Sequence, residues 1–180
     1  MRRIYQTDLD EAIEWSLVRK FGEGAVTDVP EFKDEVVAFS GTETTCPYDF
    51  DIHTAAHARL ETGAIIRIAH GDPIGIVEVK SRNIPFGLYS TYKLSKRKCD
   101  SIIRISEEAA LPALLVIGWR DRIGWMYLNN QEGVGLKKMI ASGKASVCSW
   151  GRLDRNDPHD VEDAYEWHTD NFNVSNYPEL

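Results

Sequence analysis

Leu9, Ile13, Leu17 and Phe21 recur at every fourth position, the spacing that lays one apolar stripe along an α-helix. They predict a helix over residues 8–21, with Thr7 or Asp8 as N-cap and Gly22 as the stop. Glu11 and Glu14 fall off the stripe and read as solvated. Residues 35–40 read as a short strand, and 41–47 as a polar, turn-rich loop. The segment 48–60 gives no clean period. His53 and His57 would share a face if 51–59 were helical, but Thr54, Ala55 and Ala56 lack the glutamate of the zinc-protease pattern.

Two apolar runs follow, 64–69 and 74–81, and the link His70-Gly71-Asp72-Pro73 between them reads as the turn of a hairpin. Asp72 is then a turn residue. The second run, Ile74-Gly75-Ile76-Val77-Glu78-Val79-Lys80-Ser81-Arg82, is apolar on both faces, as a central strand requires. Because side chains alternate, Glu78 and Lys80 share one face. A buried charge left unpaired there would cost several kcal/mol. A hairpin sets the start of its first strand opposite the end of its second, so Glu61 is expected near Glu78 and Lys80.

Downstream, 93–110 is expected to be a helix with Leu94, Ile102, Ile105 and Ala109 on its apolar face. Lys93, Lys96, Arg97 and Arg104 lie on another face, which reads either as solvated or as a phosphate-contacting surface. Residues 111–119 form a buried strand after a crossover helix, with a parallel neighbour expected. Residues 123–128 return as a hairpin partner, and Lys137 and Lys138 close a short helix. The tail is dense in charge from 151 to 160. It then alternates like an edge strand over 161–169, with Tyr165 and Trp167 on one face.

At 180 residues, 43% hydrophobic and 27% charged, the chain has the size and composition of one α/β domain spanning 1–180, with a core at about 8–130 and a C-terminal extension at about 145–180. The net charge of −7 argues against non-specific coating of nucleic acid but allows a local basic surface. No run spans a bilayer and the first residues lack a signal-peptide core, so the expected location is the cytoplasm, with no membrane partner. Cys46, Cys99 and Cys148 are an odd, scattered set, expected as reduced thiols.

Two carboxylates and a lysine at a hairpin mouth suit a hard, oxygen-ligated cation, Mg2+ or Mn2+. The Glu-x-Lys spacing alone says little, since Glu31-Phe32-Lys33 repeats it in a polar stretch. Context separates the two. Helix, strand, hairpin with Glu-x-Lys on its second strand, then helix and strand, resembles the αβββαβ core of the PD-(D/E)XK nuclease superfamily. Val77-Glu78-Val79-Lys80-Ser81-Arg82, Ser90-Thr91-Tyr92-Lys93-Leu94-Ser95, Leu111-Pro112-Ala113-Leu114-Leu115-Val116 with Trp119, and the segment 151–162 resemble in particular its small bacteriophage-encoded members.

The resemblance implies a restriction-endonuclease-like fold, with a mixed central sheet flanked by helices and a charged C-terminal extension. It also implies DNA as partner and a Mg2+- or Mn2+-dependent deoxyribonuclease. Residue by residue it makes Glu78 and Lys80 the Glu-x-Lys pair and assigns the first-helix glutamate to Glu11 or, less well, Glu14. The hairpin carboxylate falls on Glu61 or, with a different gap, on Gly63, which would leave a ligand missing. Glu61 and Glu78 are then the metal ligands, Lys80 and Glu11 assist, and Arg82, Lys93, Lys96 and Arg97 contact nucleic acid. The alternative is an inactive nuclease-like scaffold that binds nucleic acid or a host protein. A homodimer is compatible with either.

Overall fold

The computed structural model describes residues 8–43, 45–60, 62, 65–151 and 161–175. The first helix, α1 (Asp8–Glu23), forms where the periodicity placed it. Leu17, Val18 and Phe21 are buried, while Ile13 is 36% exposed, so the inward stripe is rotated toward Val18. A 3-10 turn at Ala25–Asp28 leads into three successive strands, β1 (Val37–Gly41), β2 (Phe50–Arg59) and β3 (Ile65–Arg82). Then come β4 (Thr91–Ser95), α2 (Lys96–Ala109), β5 (Ala113–Trp119), β6 (Ile123–Asn129), α3 (Leu136–Ala141), β7 (Ser146–Trp150), β8 (Glu162–His168) and β9 (Asn173–Ser175).

Six strands make the main sheet, in the order β1-β2-β3-β5-β6-β9. Only β3 and β5 are parallel, Glu78 lying opposite Leu115 and Lys80 opposite Ile117. The β4–α2 segment is the crossover that parallel pairing demands. The αβββαβ order and mixed sheet are therefore present, as in a restriction-endonuclease-like fold. Each face of the sheet is covered. Val77 and Val79 point into a core with Leu17, Val18 and Phe21 of α1. Ile76 points the other way, into a core with Cys99, Ile102 and Ile103 of α2 and the small sheet β4-β8-β7. Both faces apolar is what the run Ile74-Gly75-Ile76-Val77 required.

The hairpin expected around residues 70–73 is not there. Residues 65–69 and 74–81 belong to one strand, β3, whose partner across a hairpin is β2 in the segment that gave no clean period; Ala64 lies outside the described residues. The register passes from Ile52 opposite Gly75 to Thr54 opposite His70. Gly71-Asp72-Pro73-Ile74 is thus a large bulge, with Gly71 at φ 75°, a conformation open to glycine. The turn chemistry was real, but it bends a strand rather than reversing it.

Two smaller expectations also change. Residues 93–95 are the end of β4, so the second helix starts only at Lys96. β8 is the middle strand of the small sheet, between β4 and β7, which is why Tyr165 and Trp167 are both buried. The charged segment 152–160 lies outside the described residues. His53 and His57 stand on extended β2; His53 contacts Ser40 Oγ and the Gly71 carbonyl. Among the described residues, no helix is long and apolar enough to cross a membrane.

Close approach fixes α1 to the sheet. A β-carbon built at Gly118 of β5 would collide with Leu17, so the helix sits directly on the strand next to β3. That contact sets the height of Glu14, one turn before Leu17.

Candidate active site

β3 delivers Glu78 to the centre of the sheet with no exposure to solvent. Its Oε1 is 2.6 Å from Lys80 Nζ and also accepts from Lys98 Nζ of α2. Its Oε2 is buried and has no hydrogen-bond partner among the described residues. A buried carboxylate held on one oxygen and bare on the other has unused ligand capacity, and such an orphan is costly unless something comes to satisfy it.

The second carboxylate is Asp49, just before β2. Its N–H donates to the Val77 carbonyl at 3.1 Å, and its Oδ2 accepts from the Val79 N–H at 2.8 Å. These two ties straddle Glu78 on the neighbouring strand. Lys80 Nζ lies 3.5 Å from Asp49 Oδ2 and donates to the Val79 carbonyl at 2.7 Å. Glu14 Oε1 of α1 is 3.9 Å from the same ammonium. Three carboxylates and one carbonyl thus surround a single cationic point. A small cleft of about 120 Å³ opens beside it, lined by Glu11, Glu14, Tyr48 and Asp49 among others.

Burial pushes the Glu78 carboxyl above its ordinary range, against the pull of Lys80 and Lys98. Burial alone would lower Lys80, but Glu78, Asp49 and Glu14 outweigh it and hold the ammonium protonated. Glu14 is raised to about 7, first by burial and next by the charge of Asp49. Two ammonium groups face three carboxyls, and the proton that Glu14 retains near neutral pH balances the cluster.

Glu78 and Lys80 therefore meet as their alternation predicted. Glu61 lies outside the described residues. At the hairpin end of β3, Ile65 pairs with Arg59, and up to about 45 Å of extended chain separates Ile65 from Glu78. The carboxylate that the register brings to Glu78 is Asp49. Glu11 is exposed at the rim of the cleft, whereas Glu14 reaches Lys80. Lys98 also reaches Glu78, and no motif in the sequence singles it out. Its signal was position: it precedes buried Cys99 on α2, at the margin of the apolar face. Asp49 had a signal too, standing directly before the alternating Phe50-Asp51-Ile52-His53.

The basic residues do not share one helix face. Lys93 lies on β4, 3.5 Å from Glu166. Lys96 pairs with Asp100 at 2.5 Å and sits over the Tyr165 ring. Arg82 donates to Tyr92 Oη at 3.1 Å and stacks on that ring. Arg97 is exposed. The other Glu-x-Lys, at Glu31, is a structural tie: Glu31 accepts from Tyr127 Oη and from Asn130 Nδ2.

Among the described residues no three His, Cys, Asp or Glu side chains converge closely enough to hold an ion by themselves. The donors that do converge are oxygens of Asp49 and Glu78 and the Val79 carbonyl, around the spot that Lys80 Nζ occupies. With the bare Glu78 Oε2, this all-oxygen set fits a hard divalent cation rather than zinc.

The family model of the phage putative PDDEXK endonuclease matches residues 53–175. The chain belongs to that family. Glu78, Lys80 and Lys98 fall inside the matched span, whereas Glu14 and Asp49 precede it and join the site only through the fold. No protein of curated function matches the chain.

Proposed function

We propose that this single-domain chain is a metal-dependent nuclease that hydrolyses phosphodiester bonds in DNA, with Mg2+ or Mn2+ as cofactor. The observation that carries the reading is the meeting of Asp49, from just before β2, with Glu78, the Val79 carbonyl and Lys80 of β3 in a PDDEXK-family fold. Asp49 and Glu78 would hold the cation. When bound, it supplies positive charge against the charge that builds on the phosphodiester during attack.

The remaining roles fall to the chain's own groups. Lys80, kept protonated by its carboxylates, donates to the attacking water or to a phosphate oxygen as charge develops. Lys98 orients Glu78 through Oε1 and leaves Oε2 free. Glu14, half ionised near neutrality, accepts a proton at the cleft. Glu11, at the rim, assists only at a distance. Glu61 gives up the role of ligand to Asp49.

One observation favours a second reading, a nuclease-like scaffold without cleavage activity that binds nucleic acid or a host protein. Lys80 Nζ already occupies the point where Asp49, Glu78 Oε1 and the Val79 carbonyl converge, so a cation bound there must displace that ammonium. Incubation with single- and double-stranded DNA in Mg2+ or Mn2+ decides between the two. The nuclease reading expects cleavage that stops with EDTA and in Asp49→Ala, Glu78→Ala and Lys80→Ala. No cleavage of any DNA or RNA, with no calorimetric metal binding, overturns it.

A further inference from the structure

Beyond Ala55, β2 and the first half of β3 run on together without β1 or β5 beside them, and Ile66, Arg67 and Ala69 form one wall of a cleft of about 800 Å³ whose other wall includes Trp15 and Arg19 of α1. β1 pairs with β2 only as far as Thr54, and β5 meets β3 only from Ile76. From Ala56 to Arg59 and from Ile65 to Ile68 the strands have no partner but each other among the described residues. A bare two-stranded ribbon is marginal in water, and this one also exposes apolar side chains. Ile65, Ile66 and Ile68 are 69%, 38% and 46% exposed.

The register sorts the ribbon into two faces. His57 stands opposite Arg67 and Arg59 opposite Ile65 on one face; Ala58 opposite Ile66 and Ala56 opposite Ile68 make the other. Neither Arg59 nor Arg67 has an ion-pair partner among the described residues. Between positions 54 and 70 the sequence holds Arg59, Arg67, His57 and His70 against the single carboxylate of Glu61, in a chain of net charge −7. The ribbon is a local basic surface on an acidic protein, joined through β3 to the strand that carries Glu78 and Lys80.

We propose that this ribbon is an arm that enters a groove of double-stranded DNA, with Arg59 and Arg67 on phosphates and Ile66 and Ile68, on the other face, against base edges. The inference rests on the nuclease reading for its choice of ligand. Two strands about 4.8 Å apart, with their side chains, match a major groove about 12 Å wide. Isoleucine contacts thymine methyls or wedges between base steps, as apolar side chains on groove-binding proteins do. A second copy of the chain fits less well. Two-fold pairing centred on the Ile66–Ile68 edge would set the two Arg67 side chains side by side, and like charges directly opposite are destabilising.

Fluorescence anisotropy with a labelled 30-base-pair duplex in EDTA reads binding apart from cleavage. Arg59→Ser with Arg67→Ser is expected to weaken binding about tenfold or more. It should also reduce the steepness of log K against log salt by about 2, one for each lost phosphate contact. Ile66→Ser with Ile68→Ser should weaken binding with an unchanged salt slope. Thermal midpoints confirm that the variants fold. Unchanged affinity and slope overturn the proposal, as does absence of duplex binding by the unsubstituted chain. A sedimenting dimer that Ile66→Ser with Ile68→Ser dissociates also overturns it, because the ribbon then covers a second copy. Failure of the nuclease reading shows separately, as a lack of metal-dependent cleavage by the unsubstituted chain, whatever the ribbon variants do to binding.

Discussion

Asp49 accepts at Oδ2 from the Val79 N–H, 2.8 Å away, so this carboxylate is tied to the residue between Glu78 and Lys80. Position and charge can be separated at Asp49. Asp49→Asn keeps an oxygen for Val79 and should unfold within about 1 kcal/mol of the parent, because the tie survives. Its cleavage should nevertheless fall at least about 100-fold, since an amide neither neutralises nor firmly holds a divalent cation. Asp49→Ala loses the tie as well and should also cost about 1–3 kcal/mol. Urea unfolding and a plasmid-cleavage assay on both variants check this. Glu61→Gln, assayed beside them, is expected to retain activity.

Lys80 and Lys98 meet on one oxygen of Glu78, so each can compensate for the other's loss. Lys80→Met and Lys98→Met should each destabilise by about 1–2 kcal/mol, since the buried carboxylate keeps one cation. The double variant strips it of both and should exceed the sum of the singles, toward the 3–5 kcal/mol range of a broken buried pair. A double-mutant cycle by urea unfolding measures that excess. Activity should divide differently, with Lys80→Met abolishing cleavage and Lys98→Met leaving a reduced but measurable rate.

Glu14 carries the pH dependence. Its folded pKa of about 7 stands above the ordinary carboxylate value, so the folded chain binds the proton more tightly than the unfolded chain. Its own contribution to stability therefore falls as pH rises from about 4.5 to about 7 and levels off above that, beside the contribution of Glu78, which burial raises in the same direction. Glu14→Gln removes this liability. The variant should match the parent near pH 4.5 and exceed it by about 2 kcal/mol at pH 8, the about 3.4 kcal/mol of the full shift being reduced by solvent screening of a half-buried carboxyl, read as the difference between two urea-unfolding series across pH. A constant difference over that range would show that Glu14 titrates normally.

How far the sequence disclosed this site depended on the range of each signal. Alternation is local, and it placed Glu78 and Lys80 together on a central strand. The helix stripe of Leu17 and Phe21 was equally local and put α1 where it stands. The partner strand was not local information. Gly71-Asp72-Pro73 carries the residues of a turn, and nothing in its composition distinguishes a reversal from a bulge; only the pairing of Ile52 with Gly75 and Thr54 with His70 does. With β2 as the partner of β3, the carboxylate beside Glu78 is Asp49; Glu61, expected there, lies outside the described residues. Glu14 and Glu11 differ by less than one helical turn, and the choice between them rests on which way α1 leans on β5.

That lean is open to test through Gly118. Its missing side chain lets Leu17 settle against β5, and any β-carbon there would strike Leu17. Gly118→Ala leaves every polar group of the site in place. It should destabilise by about 1–3 kcal/mol through overpacking, and the relief available is for α1 to lift from the sheet. Lifting α1 draws Glu14 away from Lys80, so the raised pKa of Glu14 should relax toward its ordinary value and cleavage should drop. Leu17→Ala in the same chain restores the space and should recover part of the rate, though not the stability lost with the leucine. If Gly118→Ala cleaves normally and Glu14 still titrates near 7, α1 is not what positions that carboxyl.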